Sequence, residues 1–476
     1  MQIVKSTIIT KGQEMLEENP QQIYLRSILN KLSTIATRGE SIMKNISSLV
    51  ANAQKNKHDE AWLEFNSVDE RVQKRRYGTT QAAELAGISH SLLYAAEEDG
   101  RLPKPEYRTD TVKKVRSGYT MNHINHMRGV FDTAPRKPEG ENAAIIGVLN
   151  LKGGSQKTTN TQLFAQHLAI RGYRVLLLDT DPQGSLSLFF GKIPDDTVHY
   201  EHTMAPYMLE DEYALIEAGF EEGASETLHY AIQKTYWSNI DIIPSCLQNL
   251  NIDLLLPKMQ EKADTNAMQR VMKLRYGLLG VSQDYDFILV DGTPSLNIST
   301  VNVISACDMC FVPTPAAMMD YASTLKFTGL IRDSIQSYDE INFYPNIPDV
   351  RYFITKYTRS SYAQFMGQLI RKVFTVERGD VLSNEAYASD EIGKANNSIY
   401  TIYEQNPSES DNRKRLKTTI EMFDNLYTEM HDAVWDTCFE DAIKTSQIDK
   451  IDQIMANAQA ESKELTKEAV SLDRGE

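Results

Sequence analysis

Cysteine is scarce: four in 476 residues, at Cys246, Cys307, Cys310 and Cys438. Cysteines so few and scattered exclude a disulfide framework. Cys307 and Cys310 form a C-x-x-C, but SACDMCFVP around them reads as a helix end running into a buried strand. No second ligand pair lies nearby, so both count as small hydrophobes. No run approaches the roughly 18 apolar residues that cross a bilayer, and the first thirty residues lack the apolar core of a signal peptide. The expected location is the cytoplasm. Basic charge is also short: the net charge is −15, which excludes a chain devoted uniformly to nucleic acid. Between Ile193 and Leu228 there are ten acidic residues and no Lys or Arg, a stretch read mostly as a solvated excursion.

What is present is ordinary globular composition, 41% hydrophobic and 24% charged, with room for two or three domains. Residues 20–55 carry Ile23, Leu25, Ile28, Leu29, Leu32 and Ile35 at helical spacing. That apolar stripe must be buried, against its own domain or by self-association; residues 1–60 are assigned as a helical dimerisation segment.

From Arg71 to Arg128 the balance reverses, with eleven Lys/Arg against six Asp/Glu. Within this basic island Tyr77–Tyr94 reads as helix, glycine turn, helix. Thr79 or Thr80 caps the first helix, Gly87 makes the turn, and Ser89 caps the second. This is the helix-turn-helix pattern, whose second helix lies in a DNA groove. Glu98–Pro103 resembles the start of the wing in MerR-like winged domains. Residues 66–131 are therefore expected to form a winged helix-turn-helix domain, with Thr80, Ser89, His90, Ser91, Tyr94 and Arg101 as DNA-binding candidates, flanked by Arg75, Arg76, Lys113 and Lys114. The alternative is an αα-hairpin without a nucleic-acid role.

Residues 132–142, rich in Pro, Gly and charge, read as a linker. Beyond them apolar strands alternate with helices: 144–150, 174–179, 240–244, 287–291, 309–313 and 351–355. Such a rhythm gives a mostly parallel sheet with helices on both faces, so the fold class is α/β. Ligands bind such sheets at the carboxyl ends of the strands, and three motifs fall there.

The first is Lys152-Gly-Gly-Ser-Gln-Lys-Thr-Thr159. In G-x-x-x-x-G-K-[ST] loops, backbone N–H groups surround phosphates, the lysine reaches the β/γ-phosphates and the hydroxyl binds Mg²⁺. Lys157 and Thr158 supply that pair, although both glycine positions of the pattern hold other residues, Leu151 and Gln156. The second motif is Asp179-Thr-Asp-Pro-Gln-Gly184; the third is the apolar strand Phe287–Val290 ending in Asp291, which reads as Walker B.

Together these resemble the deviant Walker A motif of the ParA/MinD group of P-loop ATPases, K-G-G-x-G-K-[ST], with its D-x-D-P-Q segment. The preceding helix-turn-helix narrows the resemblance to the large, plasmid-type (type Ia) partition ATPases. It implies a P-loop ATPase domain over 143–430, a helical extension over 431–476, and ATP and Mg²⁺ as cofactors. Lys152, Gly153, Gly154, Ser155, Gln156, Lys157, Thr158 and Thr159 would hold the nucleotide, and Lys152 would reach the nucleotide of a partner subunit. Thr158, Asp179 and Asp291 would hold Mg²⁺; Lys152, Lys157 and Asp181 would be catalytic, Asp181 by orienting or activating the attacking water. The family commonly has glycine where this chain has Gln156, which makes ATP binding a safer expectation than fast turnover.

The resemblance further implies an ATP-bound homodimer, with higher-order assembly on DNA, that binds DNA non-specifically at the nucleoid. A ParB-like centromere-binding protein would stimulate hydrolysis, and the helix-turn-helix would repress the chain's own operon. Candidates for the non-specific DNA surface are Lys356, Arg359 and Lys394, from a basic set that also includes Arg371, Lys372, Arg413, Lys414, Arg415 and Lys417. The rival reading is a nucleotide-switched repressor with little or no hydrolysis. A MinD-like membrane cycle lacks its basic amphipathic C-terminal helix here, so no membrane partner is expected.

Overall fold

In the computed structural model of the chain, the described residues are 73, 75–108, 114–262, 270–340, 345–397, 399–407, 410 and 412–439. The amphipathic segment at 20–55, Lys113 and the tail beyond 439 lie outside them.

The first helices are α1 (Thr79–Leu85) and α2 (His90–Asp99). Gly87, at φ 69°, makes the turn between them, a conformation that disfavours any residue with a Cβ. The α1 cap differs from expectation: Gly78 is the N-cap, without a side-chain cap, and Thr79 already lies in the helix. Ser89 does cap α2, its Oγ accepting from Leu92 N at 3.1 Å. Helix α3 (Met121–Phe131) packs beside them, burying Ala82, Ala83, Leu93 and Ile124 in one core.

The Pro/Gly-rich connection after α3 is fastened at both ends. Thr133 Oγ1 donates to Ala86 O at 2.5 Å. Lys137 Nζ donates to the carbonyls of Ser282, Gln283 and Tyr285 at 3.0, 3.2 and 2.7 Å.

The α/β body is a seven-stranded sheet: β1 (Ala144–Val148), β2 (Val175–Asp179), β3 (Gln233–Lys234), β4 (Ile240–Ile243), β5 (Phe287–Asp291), β6 (Met309–Pro315) and β7 (Asp349–Thr355). Their order is β3-β4-β2-β5-β1-β6-β7. All pairings are parallel except the short edge strand β3. Strand β3 has only two residues and no apolar alternation, so sequence pattern did not reveal it.

Strands β1, β2 and β5 are buried along their whole length, which is why they read as continuous apolar runs. On one face Ala144 and Ile146 belong to a core shared with helix α4 (Lys157–Arg171), α1–α3 and a long helix over 413–439. On the other face Ile145 belongs to a core shared with helices α5 (Ile298–Ala306), α6 (Met318–Glu340) and α7 (Ser361–Phe374). Helix α8 (Asp390–Asn397) follows, and the 413–439 helix is α9. Tyr427 of α9 stacks on Phe164 of α4 with ring centroids 5.7 Å apart. Because α9 is continuous, the expected boundary at 430/431 falls inside a helix.

The acidic stretch at 193–228 is more than a solvated excursion. Met204, Ala205, Tyr207, Met208, Leu209, Leu215 and Leu228 are buried against the second face of the sheet. Its acidic residues mask an apolar set spaced for short helices. Cys307 and Cys310 are free and fully buried, as their apolar surroundings imply.

Candidate nucleotide site

Strand β1 sits between β5 and β6, and the chain leaves its carboxyl end into the 149–156 loop before entering α4. That is the switch point of an α/β sheet, where a crevice opens. Asp179 and Asp291 end adjacent strands in direct register, so two carboxylates stand side by side beneath the loop.

Both carboxylates are fully buried. Ser187 N and Oγ donate to Asp179 Oδ2 at 2.9 and 2.7 Å, and Asp181 N donates to Asp179 Oδ1 at 3.1 Å. Thr158 Oγ1 donates to Asp291 Oδ2 at 2.6 Å. Burial raises the pKa of Asp179, opposed by the Ser187 hydrogen bonds. It raises that of Asp291 too, with the neighbouring Asp179 charge adding to the effect. Burial lowers the pKa of Lys157, against the pull of Asp291 and Asp181. Two buried acids against one buried lysine leave an excess of negative charge that a cation would relieve.

The loop is built for an anion. Gln156 is the N-cap of α4 and makes no side-chain cap, so no capping side chain satisfies the first N–H groups of α4, which face the loop. Ser155 Oγ is buried with no partner among the described residues. Lys157 Nζ bends back over the loop to donate to Lys152 O at 3.4 Å. Lys152 points the other way, its ammonium 3.8 Å from Asp320 at the start of α6. An oxygen-rich dianion with a hard divalent cation fits this donor set: lysines and N–H groups on one side, a hydroxyl and carboxylates on the other.

Asp181 is half-buried, accepts from Gln183 N at 3.0 Å, and lines a cleft of about 250 Å³ with Thr180, Asn249, Asp253 and Thr293. Gly153, Gly154 and Thr159 lie in the same loop and first helical turn.

The candidates for DNA contact fall in three places. Thr80, Ser89, His90, Ser91, Tyr94 and Arg101 are all exposed. Tyr94 carries the Arg116 guanidinium 4.2 Å above its ring, and Arg101 is held by Asp99 at 2.7 Å. Arg359 lines a cleft of about 640 Å³ with Lys414 and Arg415. Lys394 is exposed near it, 3.4 Å from Glu391. Lys356, next in sequence to Tyr357 of that cleft, has its ammonium beside the phosphate loop: a Cβ built on Gly154 would lie 3.8 Å from its Nζ. Arg371 is committed internally, donating to Leu382 O, Ser383 O and Glu385.

Several supporting residues were invisible in sequence: Ser187, Asp320, Asn150 and Thr355. Asn150 Oδ1 accepts from Lys152 N at 3.0 Å while its Nδ2 donates to Pro313 O at 2.8 Å. Asp320, Thr355 and the Asn150–Pro313 bond act through partners remote in the chain, and no local pattern marks them.

The AAA domain family matches residues 143–339. Protein SopA of Escherichia coli (strain K12) is 36% identical over 379 residues, 78% of this chain and 92% of its own. The chain belongs to the ParA family of partition ATPases, in its large form. Plasmid partition protein A of Escherichia coli is 23% identical over 67% of the chain and 79% of its own length. A solved partition protein shares the fold at a TM-score of 0.54 and 18% identity, covering 84% of this chain and 99% of that one. No helix among the described residues is long and apolar enough to cross a membrane.

Proposed function

We propose that the chain binds ATP with Mg²⁺, dimerises upon it, holds DNA non-specifically in that state, and is released when a ParB-like centromere-binding partner stimulates hydrolysis. The observation that carries this is the convergence of Lys157, Thr158, Asp179, Asp181 and Asp291 at the ends of β1, β2 and β5.

Lys157 and the N–H groups opening α4 bind and orient the phosphates. Thr158 and Asp291, with Asp179, hold Mg²⁺, which when bound offsets charge on the triphosphate. Asp181 positions the attacking water. Lys152 leaves Asp320 to reach the nucleotide of the partner protomer, making ATP part of the dimer interface. Electrostatic stabilisation of this kind needs the cations in place before reaction.

The exposed α1–α2 helix pair, in a winged helix-turn-helix domain over 66–131, reads the operator of the chain's own operon. Arg359 and Lys394, with Lys414 and Arg415 beside the same cleft, form the non-specific DNA surface. Residues 1–60 serve as a dimerisation segment, and the site of action is the cytoplasm at the nucleoid.

A second reading, a nucleotide-switched repressor with little hydrolysis, is favoured by one observation. Gln156 occupies a left-handed position in the loop, at φ 72°, where the family commonly has glycine. Phosphate release measured with Mg-ATP, random DNA and the cognate adaptor separates the two. Stimulated turnover, lost in Lys157→Ala and Lys152→Ala, supports the partition ATPase; release at background in all mixtures supports the repressor.

A further inference from the structure

The phosphate loop is stapled to the end of β7 by two hydrogen bonds. Thr355 Oγ1 donates to Ser155 O at 3.2 Å, and Lys356 N donates to Gln156 Oε1 at 3.3 Å. Both partners of the second bond have left-handed backbone, Gln156 at φ 72° and Lys356 at φ 50°. Such backbone favours glycine, so a long side chain at each position runs against local preference. Two outliers bonded to each other at a candidate site point to a role for the side chains themselves.

The Gln156 amide oxygen is engaged by the staple, and the Gln156 backbone carbonyl accepts from Asn160 Nδ2 at 2.7 Å. What the staple delivers is the Lys356 ammonium, 3.8 Å from a Cβ built on Gly154. Among the described residues no carboxylate pairs with Lys356, whereas Lys152 is drawn to Asp320. An exposed, uncommitted ammonium over an anion-binding loop has one natural counter-ion, the polyphosphate the loop receives.

We propose that Gln156 and Lys356 act as a unit: Gln156 fixes the end of β7, and Lys356 supplies the nucleotide polyphosphate with a further cation from the same protomer. This rests on the ATP-site reading above. It moves Lys356 from the DNA surface to the nucleotide, and gives Gln156 a positioning role in place of the close approach that glycine allows.

The test uses the full chain and titrates Mg-ATP and Mg-ADP calorimetrically, alongside retention of random DNA at saturating nucleotide. Lys356→Gly removes the ammonium while relieving the left-handed strain, so it tests the charge with the fold undisturbed. It is expected to weaken nucleotide binding about ten- to a hundredfold, with Lys356→Arg restoring most of the loss. In a Gln156→Gly background, Lys356→Gly is expected to cost much less, because the ammonium is no longer held. Nucleotide affinities within twofold of wild type in Lys356→Gly overturn the proposal, as does a variant that loses DNA retention alone. Lys157→Ala is the control: if it binds Mg-ATP like wild type, the ATP-site reading itself fails and the proposal with it.

Discussion

Thr158 Oγ1 donates to Asp291 Oδ2 at 2.6 Å, joining residues 133 positions apart at the floor of the phosphate loop. The bond places a hydroxyl from the first turn of α4 against the carboxylate ending β5, beside the buried Asp179. The arrangement suits a hydrated Mg²⁺ and burdens the protein without one.

Asp291→Asn removes one of two adjacent buried carboxylates. Without nucleotide the variant is expected to be more stable than wild type, by about 1–2 kcal/mol in urea unfolding, since burial alone disfavours the charged form. Added Mg-ATP should stabilise wild type and leave the variant nearly unmoved. A variant that is both less stable alone and fully stabilised by Mg-ATP contradicts the assigned role.

Asp320→Asn frees Lys152 from its partner in the same chain. The pair is half-exposed on the lysine side, so its worth is at most about 1 kcal/mol. ATP-dependent dimerisation, followed by analytical ultracentrifugation, should tighten by up to about thirtyfold, since one such pair is released in each protomer. Weaker dimerisation would mean that Asp320 positions Lys152 instead of holding it back.

Much of this site was readable in sequence because its parts end apolar strands. Asp179 and Asp291 each follow a run of hydrophobic residues, and parallel packing then puts them in register. Lys157 and Thr158 open a helix just after the first strand, which fixes them relative to the loop. Other features were not legible. The Gln156–Lys356 bond spans 200 positions, the α1 cap turned on one residue of offset, and the buried apolar residues of 193–228 were hidden by their acidic neighbours. Charge alone could not separate Lys356, which reaches the phosphate loop, from the other basic residues, since composition does not say which surface a lysine faces.

Arg128 is buried at 2% exposure. It donates to Leu85 O at 3.0 and 2.7 Å, to Ile170 O at 2.7 Å and to Asn125 Oδ1 at 2.8 Å. It therefore ties the C-terminus of α1 to that of α4. Desolvation lowers its pKa to about 10, so it stays charged at neutral pH. Arg128→Met leaves two carbonyls unpaired and should cost about 3 kcal/mol in urea unfolding. Amide exchange should quicken at 82–88 and 168–172. A loss under 1 kcal/mol, with unchanged exchange, would show that the tie contributes nothing.

His167 is buried between α4 and α9, with Asp424 at 3.0 Å. Burial lowers its pKa below the ordinary 6.5, and Asp424 only partly opposes this. The unfolded chain therefore takes up the proton first as pH falls. The stability owed to neutral His167 is complete above pH 6.5 and is lost progressively below it, down to the folded-state pKa. Urea midpoints at pH 7.5 and 5.5 should differ more in wild type than in His167→Gln. Equal pH dependence in both would remove His167 from the acid sensitivity.

The most direct test of the central claim is retention of the protein on random-sequence DNA with Mg-ATP, Mg-ADP or no nucleotide. Retention should require Mg-ATP, weaken steeply with added salt, and vanish in Lys157→Ala and Lys152→Ala. Equal retention in all three nucleotide conditions, or ATP-dependent retention that survives either substitution, would contradict the account.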